Sequence, residues 1–306
     1  MYFGSVRFFK HLYITILILI VLIPLMVVIV LGFENSDLKQ ALQSAKEQLT
    51  EANTLVSVKT LAATTENEEA PEKKEPAFSY QTLYPDLYVT APTVAVKAEN
   101  TVYLTFDDGP SNVTSRILDT LKASNVKATF FVVGNNLNTE SGQELLKRMV
   151  DEGHTIGVHT YSHAYATIYN SVESYLDDFD KVFQQVYEIT GVYPSIFRFP
   201  GGSINGYNGS FYQQLIAEME RRGFVYYDWN VSSEDATGSA SAAAITRNVV
   251  QNTANYSRAI VLMHDSSTKR TTADALQGII SALQIHGYNF APLTNNVAPI
   301  IFSYKD

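Results

Sequence analysis

From residue 100 onward, short runs of β-branched and aromatic residues alternate with longer stretches whose apolar positions recur at helical spacing. Strands each followed by a helix produce this alternation, and it predicts a parallel α/β sheet. Strands are expected at 102–106, 128–132, 155–158, 196–199, 225–228, 260–263 and 288–292, with amphipathic helices at 113–123, 142–152, 172–190 and 211–222. Several of the helical stretches are followed by glycine, which stops a helix. The expected architecture is α/β, a distorted (β/α) barrel of about seven parallel strands.

The first hundred residues carry different patterns. No charged residue occurs from Leu12 to Phe33, and most of the run is Ile, Leu and Val, long enough to cross a bilayer as a helix. Arg7 and Lys10 precede the run, and Glu34 and Asp37 follow it. The positive-inside bias then puts residues 1–11 in the cytoplasm, makes 12–33 a transmembrane anchor, and places the remainder outside the cell membrane. A cleaved signal peptide is the rival, but its apolar region is shorter and ends in small residues that Leu31, Gly32, Phe33 and Glu34 do not supply. Leu38, Leu42, Ala45, Leu49, Ala52 and Val56 then follow a coiled-coil seam, so 34–63 reads as a helical stalk, either single or pairing weakly with a second copy. Residues 64–77 are acidic and interrupted by proline, which predicts a disordered linker. Residues 78–97 read as an extended segment packing on a catalytic domain that occupies 98–306.

Composition narrows the partners. A formal net charge of −9 argues against nucleic acid, whose phosphates demand a basic face, and suits a neutral or cationic glycan. The chain has no cysteine, which excludes disulfides, thiolate metal ligands and cysteine nucleophiles.

The polar residues of chemical interest fall where the predicted strands end: Asp107 and Asp108, His159, Arg198, Asp228 and His264. In a β/α barrel these carboxyl ends share one face, and an open doubly wound sheet would also gather them in a crevice. His159 and His163 are four apart, so a helical turn between them would point both imidazoles toward one metal ion, with Asp108 as third ligand. Asp107 is then free to act as a base. Taken alone, the Asp107-Asp108-Gly109-Pro110 run also reads as a simple turn.

Thr105-Phe106-Asp107-Asp108-Gly109-Pro110, His159-Thr160-Tyr161-Ser162-His163, Arg198-Phe199-Pro200, Asp228-Trp229 and Leu262-Met263-His264 occur in this order. Together they resemble the five motifs of the polysaccharide deacetylase family, the carbohydrate esterases with a NodB-homology domain. The resemblance covers residues 98–295. It implies that Asp107 is the general base, that Asp108, His159 and His163 bind a divalent metal, usually zinc, and that His264 is the general acid. It further implies that Arg198 holds Asp107, that Asp228 orients His264, and that Trp229 and Leu262 line the acetyl pocket. The family commonly has tyrosine after the motif-three proline, where this chain has Gly201 after Pro200. The Gly201 amide can still donate to an oxyanion, while the missing side chain alters one wall of the groove.

The remaining histidines lack ligand spacing: His154 precedes a strand as a structural residue, and His11 and His286 have no partner nearby in sequence. The glycine-rich 200–209 run lacks the Gly-Lys-Ser/Thr ending of a phosphate loop and reads as a substrate-facing loop. No Gly-x-Ser-x-Gly elbow occurs, which disfavours a serine esterase. The expected function is metal-dependent removal of N-acetyl groups from an amino-sugar polymer, foremost peptidoglycan N-acetylglucosamine at the bacterial cell membrane. The alternatives are an exopolysaccharide or chitooligosaccharide substrate, or a carbohydrate-binding domain with little turnover. An iron(II) oxygenase also uses two histidines and a carboxylate, but leaves Arg198, Asp228 and His264 without a role.

Overall fold

Alternation along each strand determines what faces the centre of this fold. The computed structural model describes residues 77–237 and 240–303. The first long strand, β1 (Thr101–Asp107), is buried along its whole length. Val102, Leu104 and Phe106 join the large apolar core, while Tyr103 joins a second, smaller cluster with Phe131, Ile196, Tyr227, Ile260, Leu293 and Val297. Side chains on a strand alternate between faces, so Thr105 and Asp107 share the inner face with Tyr103. The same two-residue period applies to β2 (Thr129–Val132), β3 (Thr155–Val158), β4 (Ile196–Phe197) and β7 (Arg258–His264).

All strand pairs are parallel, in the order β5-β4-β3-β2-β1-β7-β6, where β5 is Val225–Tyr226 and β6 is Val231–Ser232. The last strand, β8 (Asn289–Phe290), pairs with the beginning of β1 beside β2. The sheet therefore curls into a half-barrel that stays open between β5 and β6. The C-terminal chain crosses near this opening. There the Asp228 amide donates to Ile300 O at 2.9 Å, and the Tyr227 hydroxyl donates to Thr294 O and Val297 O. All seven expected strands begin and end within two residues of observed ones; the two-residue β6 has no counterpart among the expected strands.

The helices cover the outer face. Helix α1 (Asn112–Ala123) begins at a capping box in which Ser111 Oγ accepts from the Val113 amide and Thr114 Oγ1 accepts from the Ser111 amide. Its buried stripe is Val113, Ile117, Leu118 and Leu121, each contributing about 1.5–3 kcal/mol on burial. The outer layer continues with α2 (Glu140–Asp151), the single turn α3 (Tyr165–Ile168), α4 (Val172–Thr190), α5 (Tyr212–Arg221), α6 (Ala242–Thr253) and α7 (Arg270–Ile285). Helix α4 stops where Gly191 turns left-handed at φ 73° and its amide returns to Tyr187 O.

Inside the curl, close packing restricts one strand position to glycine. A Cβ on Gly157 of β3 would lie 2.4 Å from the Phe131 ring. Phe131 is fully buried and lies 4.4 Å beneath the Arg198 guanidinium carbon, so the glycine lets this ring support the polar layer above it.

Residues 78–97 contain a short 3₁₀ turn (Ser79–Thr82) and lie against α5 through the buried Arg222. Its guanidinium donates to the carbonyls of Tyr80, Leu83, Tyr84 and Leu87, and to Glu218 at 2.7 Å. The expected anchor at 12–33 and stalk at 34–63 lie outside the described residues. Among the described residues no helix is long and apolar enough to cross a membrane.

Candidate active site

Strand register brings the chemistry together. Asp107 and His264 are Cα partners at the ends of β1 and β7, and Val158, just before His159, pairs with Phe197, just before Arg198. The inner-face alternation then presents Asp107, His159, Arg198 and His264 around one hollow at the carboxyl ends.

Arg198 is fully buried and bound from every side. Nη1 donates to Asp107 Oδ1 at 2.9 Å and to Thr105 Oγ1 at 2.7 Å, while Nε donates to Tyr227 O and Nη2 to Asp228 O. An unpaired guanidinium here would cost several kcal/mol, so the ion pair between Arg198 and Asp107 holds both side chains in place. One Asp107 oxygen is committed to this pair. The other, Oδ2, faces His159 Nε2 at 3.8 Å.

Asp108, His159 and His163 form a cluster whose ligand atoms all lie within 4.8 Å of one another. His159 Nε2 is 3.5 Å and His163 Nε2 is 3.2 Å from Asp108 Oδ1. His159 Nδ1 lies 2.8 Å from Arg198 O, and with Nδ1 donating to this carbonyl Nε2 keeps its lone pair toward Asp108. Burial pushes the Asp108 carboxyl up, but His163, His159 and His264 outweigh it and hold the group well below the usual range. Burial lowers the affinity of His159 for a proton. A deprotonated carboxylate and a neutral imidazole are the forms that bind a metal, so the donor set fits a divalent ion.

The helical turn expected between His159 and His163 is not formed. Thr160 and His163 have φ of 75° and 55°, and Asp178 Oδ1 accepts from the amides of Tyr161 and Ser162. This tight turn, tied to α4, brings the imidazoles together instead, and the helix begins only at Tyr165.

A second correction concerns His264. Its expected partner, Asp228, follows β5 at the far end of the sheet from β7, and its carboxylate accepts from the Ser203 amide, Ser203 Oγ and the Phe302 amide. The partner is Asp235, which follows β6 beside β7. Asp235 Oδ1 lies 2.7 Å from His264 Nδ1, and Oδ2 accepts from the His264 amide and from Thr272 Oγ1, both at 2.8 Å. Burial alone would push the His264 pKa down; the Asp235 bond and charge, with Asp107 and Asp108, raise it to about 9. Asp235 was legible only as an acid just beyond a strand end, and the two-residue β6 hid that position.

Pro200 is buried and its carbonyl accepts from the Tyr169 hydroxyl at 2.7 Å. Gly201 is exposed at φ 76°, and its amide donates to no acceptor among the described residues. Trp229 is half-buried, edge-on to Phe302 at 4.8 Å and 5.7 Å from the Arg198 guanidinium carbon. Leu262 is half-buried on the inner face of β7, two residues before His264.

Residues 95–222 match the family model for polysaccharide deacetylase. YheN of Bacillus subtilis (strain 168), assigned to the same class, is 32% identical over 281 residues, covering 90% of this chain and 89% of YheN. The chain belongs to the polysaccharide deacetylase family. It is an enzyme of that hydrolase class. The peptidoglycan-N-acetylglucosamine deacetylase PgdA of Listeria monocytogenes is 36% identical over 198 residues, covering 64% of this chain and 39% of PgdA's own length. Among solved structures, the catalytic domain of the peptidoglycan N-acetylglucosamine deacetylase from Eubacterium rectale superposes with a TM-score of 0.66 at 35% identity. That likeness covers 71% of this chain and 99% of the other.

Proposed function

We propose that this polysaccharide deacetylase removes the N-acetyl group from peptidoglycan N-acetylglucosamine in a zinc-dependent reaction, working from the outer face of the cell membrane. The observation that carries the reading is a ligand cluster of Asp108, His159 and His163 flanked by two side chains each held by its own partner, Asp107 by Arg198 and His264 by Asp235. Two imidazoles and one carboxylate suit zinc and leave room for water and substrate. A bound divalent ion would polarise the acetamide carbonyl and make water a better nucleophile.

The chain's own residues perform the proton transfers. Asp107 Oδ2 takes a proton from the attacking water while Arg198 keeps Oδ1 occupied and the carboxylate in position. The Gly201 amide donates to the oxygen that gains charge as the carbonyl becomes tetrahedral. His264, charged through Asp235, gives its proton to the departing nitrogen as the C–N bond breaks, so that water and amide become acetate and a free amine. Trp229 and Leu262 flank the acetyl methyl.

Support for the substrate comes from relatives named as peptidoglycan-N-acetylglucosamine deacetylases and from the apolar 12–33 run. An anchor, a stalk at 34–63 and the linker at 64–77, as the sequence leads one to expect, would hold the domain near nascent wall glycan. The test is to delete and overexpress the gene in its host and quantify de-N-acetylated muropeptides by mass spectrometry. Unchanged muropeptides alongside a changed secreted polysaccharide would replace wall glycan with exopolysaccharide as the substrate.

A further inference from the structure

Gly201 and Gly202 are both left-handed, at φ 76° and 89°. A Cβ on Gly202 would collide with the Phe302 ring at 2.4 Å, and one on Gly201 would sit tightly against the Tyr165 ring at 3.0 Å. The wall left bare by Gly201 is thus filled from another element. Tyr165 stands edge-on to the His163 ring at 5.3 Å and meets Tyr207 at 5.2 Å. A continuous aromatic line runs from a metal-ligand candidate outward to Tyr207, which is 58% exposed.

Exposure of so large a ring on a well-held loop needs a reason. Asn205 Oδ1 accepts from the amides of Tyr207 and Asn208, and Asn208 Oδ1 accepts from the Asn205 amide. Asn205 Nδ2 also donates to Pro200 O and Gly202 O, and Asn208 Nδ2 to Ser203 O. The loop is therefore tied to the segment that supplies the Gly201 amide. A rigid tyrosine offers a flat apolar face with a polar tip at small entropic cost, which suits the face of a pyranose ring whose C–H groups are apolar and whose rim carries hydroxyls.

We propose that Tyr207, backed by Tyr165, forms a stacking subsite for a sugar next to the residue being deacetylated, so that the enzyme prefers oligomeric to monomeric substrate. This rests on the reading of the site as an amino-sugar deacetylase. The subsite is built on this chain's Gly201-Gly202 pair and the Asn205-Asn208 clasp.

The experiment uses the full chain in mild detergent, with zinc, and compares N-acetylglucosamine with its β-1,4 tetramer by acetate release. Tyr207→Ala should raise KM for the tetramer by about 2- to 12-fold with kcat retained, and so narrow the tetramer-over-monomer preference. Tyr207→Trp should restore the preference, and Tyr256→Ala, an exposed tyrosine elsewhere, should leave it unchanged. An unaltered tetramer KM in Tyr207→Ala, with the wild type active, overturns the subsite. A wild type that releases no acetate from either sugar overturns the functional reading instead. Calorimetric binding of the tetramer then decides the subsite: Tyr207→Ala must bind more weakly, and equal or absent binding in both proteins rejects it.

Discussion

Replacing Asp235 with asparagine isolates the acid half of the site. His264 is only 15% exposed, and burial opposes its charge, yet its pKa is raised from 6.5 to about 9. The Asp235 hydrogen bond and charge are the largest opposing influences. Asp107 and Asp108 add to them; a bound divalent ion would offset those two charges and leave Asp235 as the main support of the imidazolium. Removing its charge should move the alkaline limb of kcat/KM down by about one to two pH units. The plateau rate should also fall by about 10²-fold, the lower end of what a positioned general acid supplies. Asparagine keeps an oxygen for only part of the present set of His264 Nδ1, His264 N and Thr272 Oγ1, so the imidazole also loses alignment. The assay is acetate release from pH 5 to 10 with zinc at saturation. Because the folded His264 pKa lies above its unfolded value, the pair stabilises the fold fully below about pH 6.5, and this is lost as pH rises through about 9. Asp235→Asn should flatten that slope in thermal melts. An unmoved alkaline limb with a rate within about threefold of wild type would refute the pairing as a catalytic device.

Asp107→Asn should retain the metal, by elemental analysis, while turnover falls about 10²- to 10⁴-fold, whereas His163→Ala should lose the metal itself. Asp228→Asn should destabilise the fold by about 1–3 kcal/mol in denaturant titrations, since an amide cannot accept all three bonds from Ser203 and Phe302. Its alkaline limb should stay in place, unlike that of Asp235→Asn. Gly157→Ala drives a Cβ to 2.4 Å from Phe131 and should cost about 1–3 kcal/mol by the same titration, with activity falling as Arg198 loses its support.

Much of the site was legible because a strand's period of two and its carboxyl end are local properties. Asp107, His159, Arg198 and His264 each follow a β-branched or aromatic run, so their convergence needed only a parallel sheet. Spatial order was not local. Asp228 and Asp235 both sit just past short strands, and only the order of the sheet, with β6 beside β7 and β5 at the opposite edge, decides which acid reaches His264. A two-residue strand such as Val231–Ser232 carries too little periodicity to stand out, although it places the acid that reaches His264. The His159 to His163 spacing pointed to two side chains that the fold does bring together, but through a different backbone, because the Asp178 carboxylate that shapes this turn comes from a helix further along the chain. The loss of a side chain at Gly201 was visible at once. That Tyr165 fills the space required the fold.

Acetate release by the purified protein from acetylated amino-sugar polymer, measured before chelation, after removal of metal and after zinc is restored, tests the central claim most directly. The account predicts release that is abolished by chelation and recovered with zinc in the wild type, while His163→Ala stays inactive throughout. Release that survives complete metal removal, or that His163→Ala performs at the wild-type rate, would contradict it.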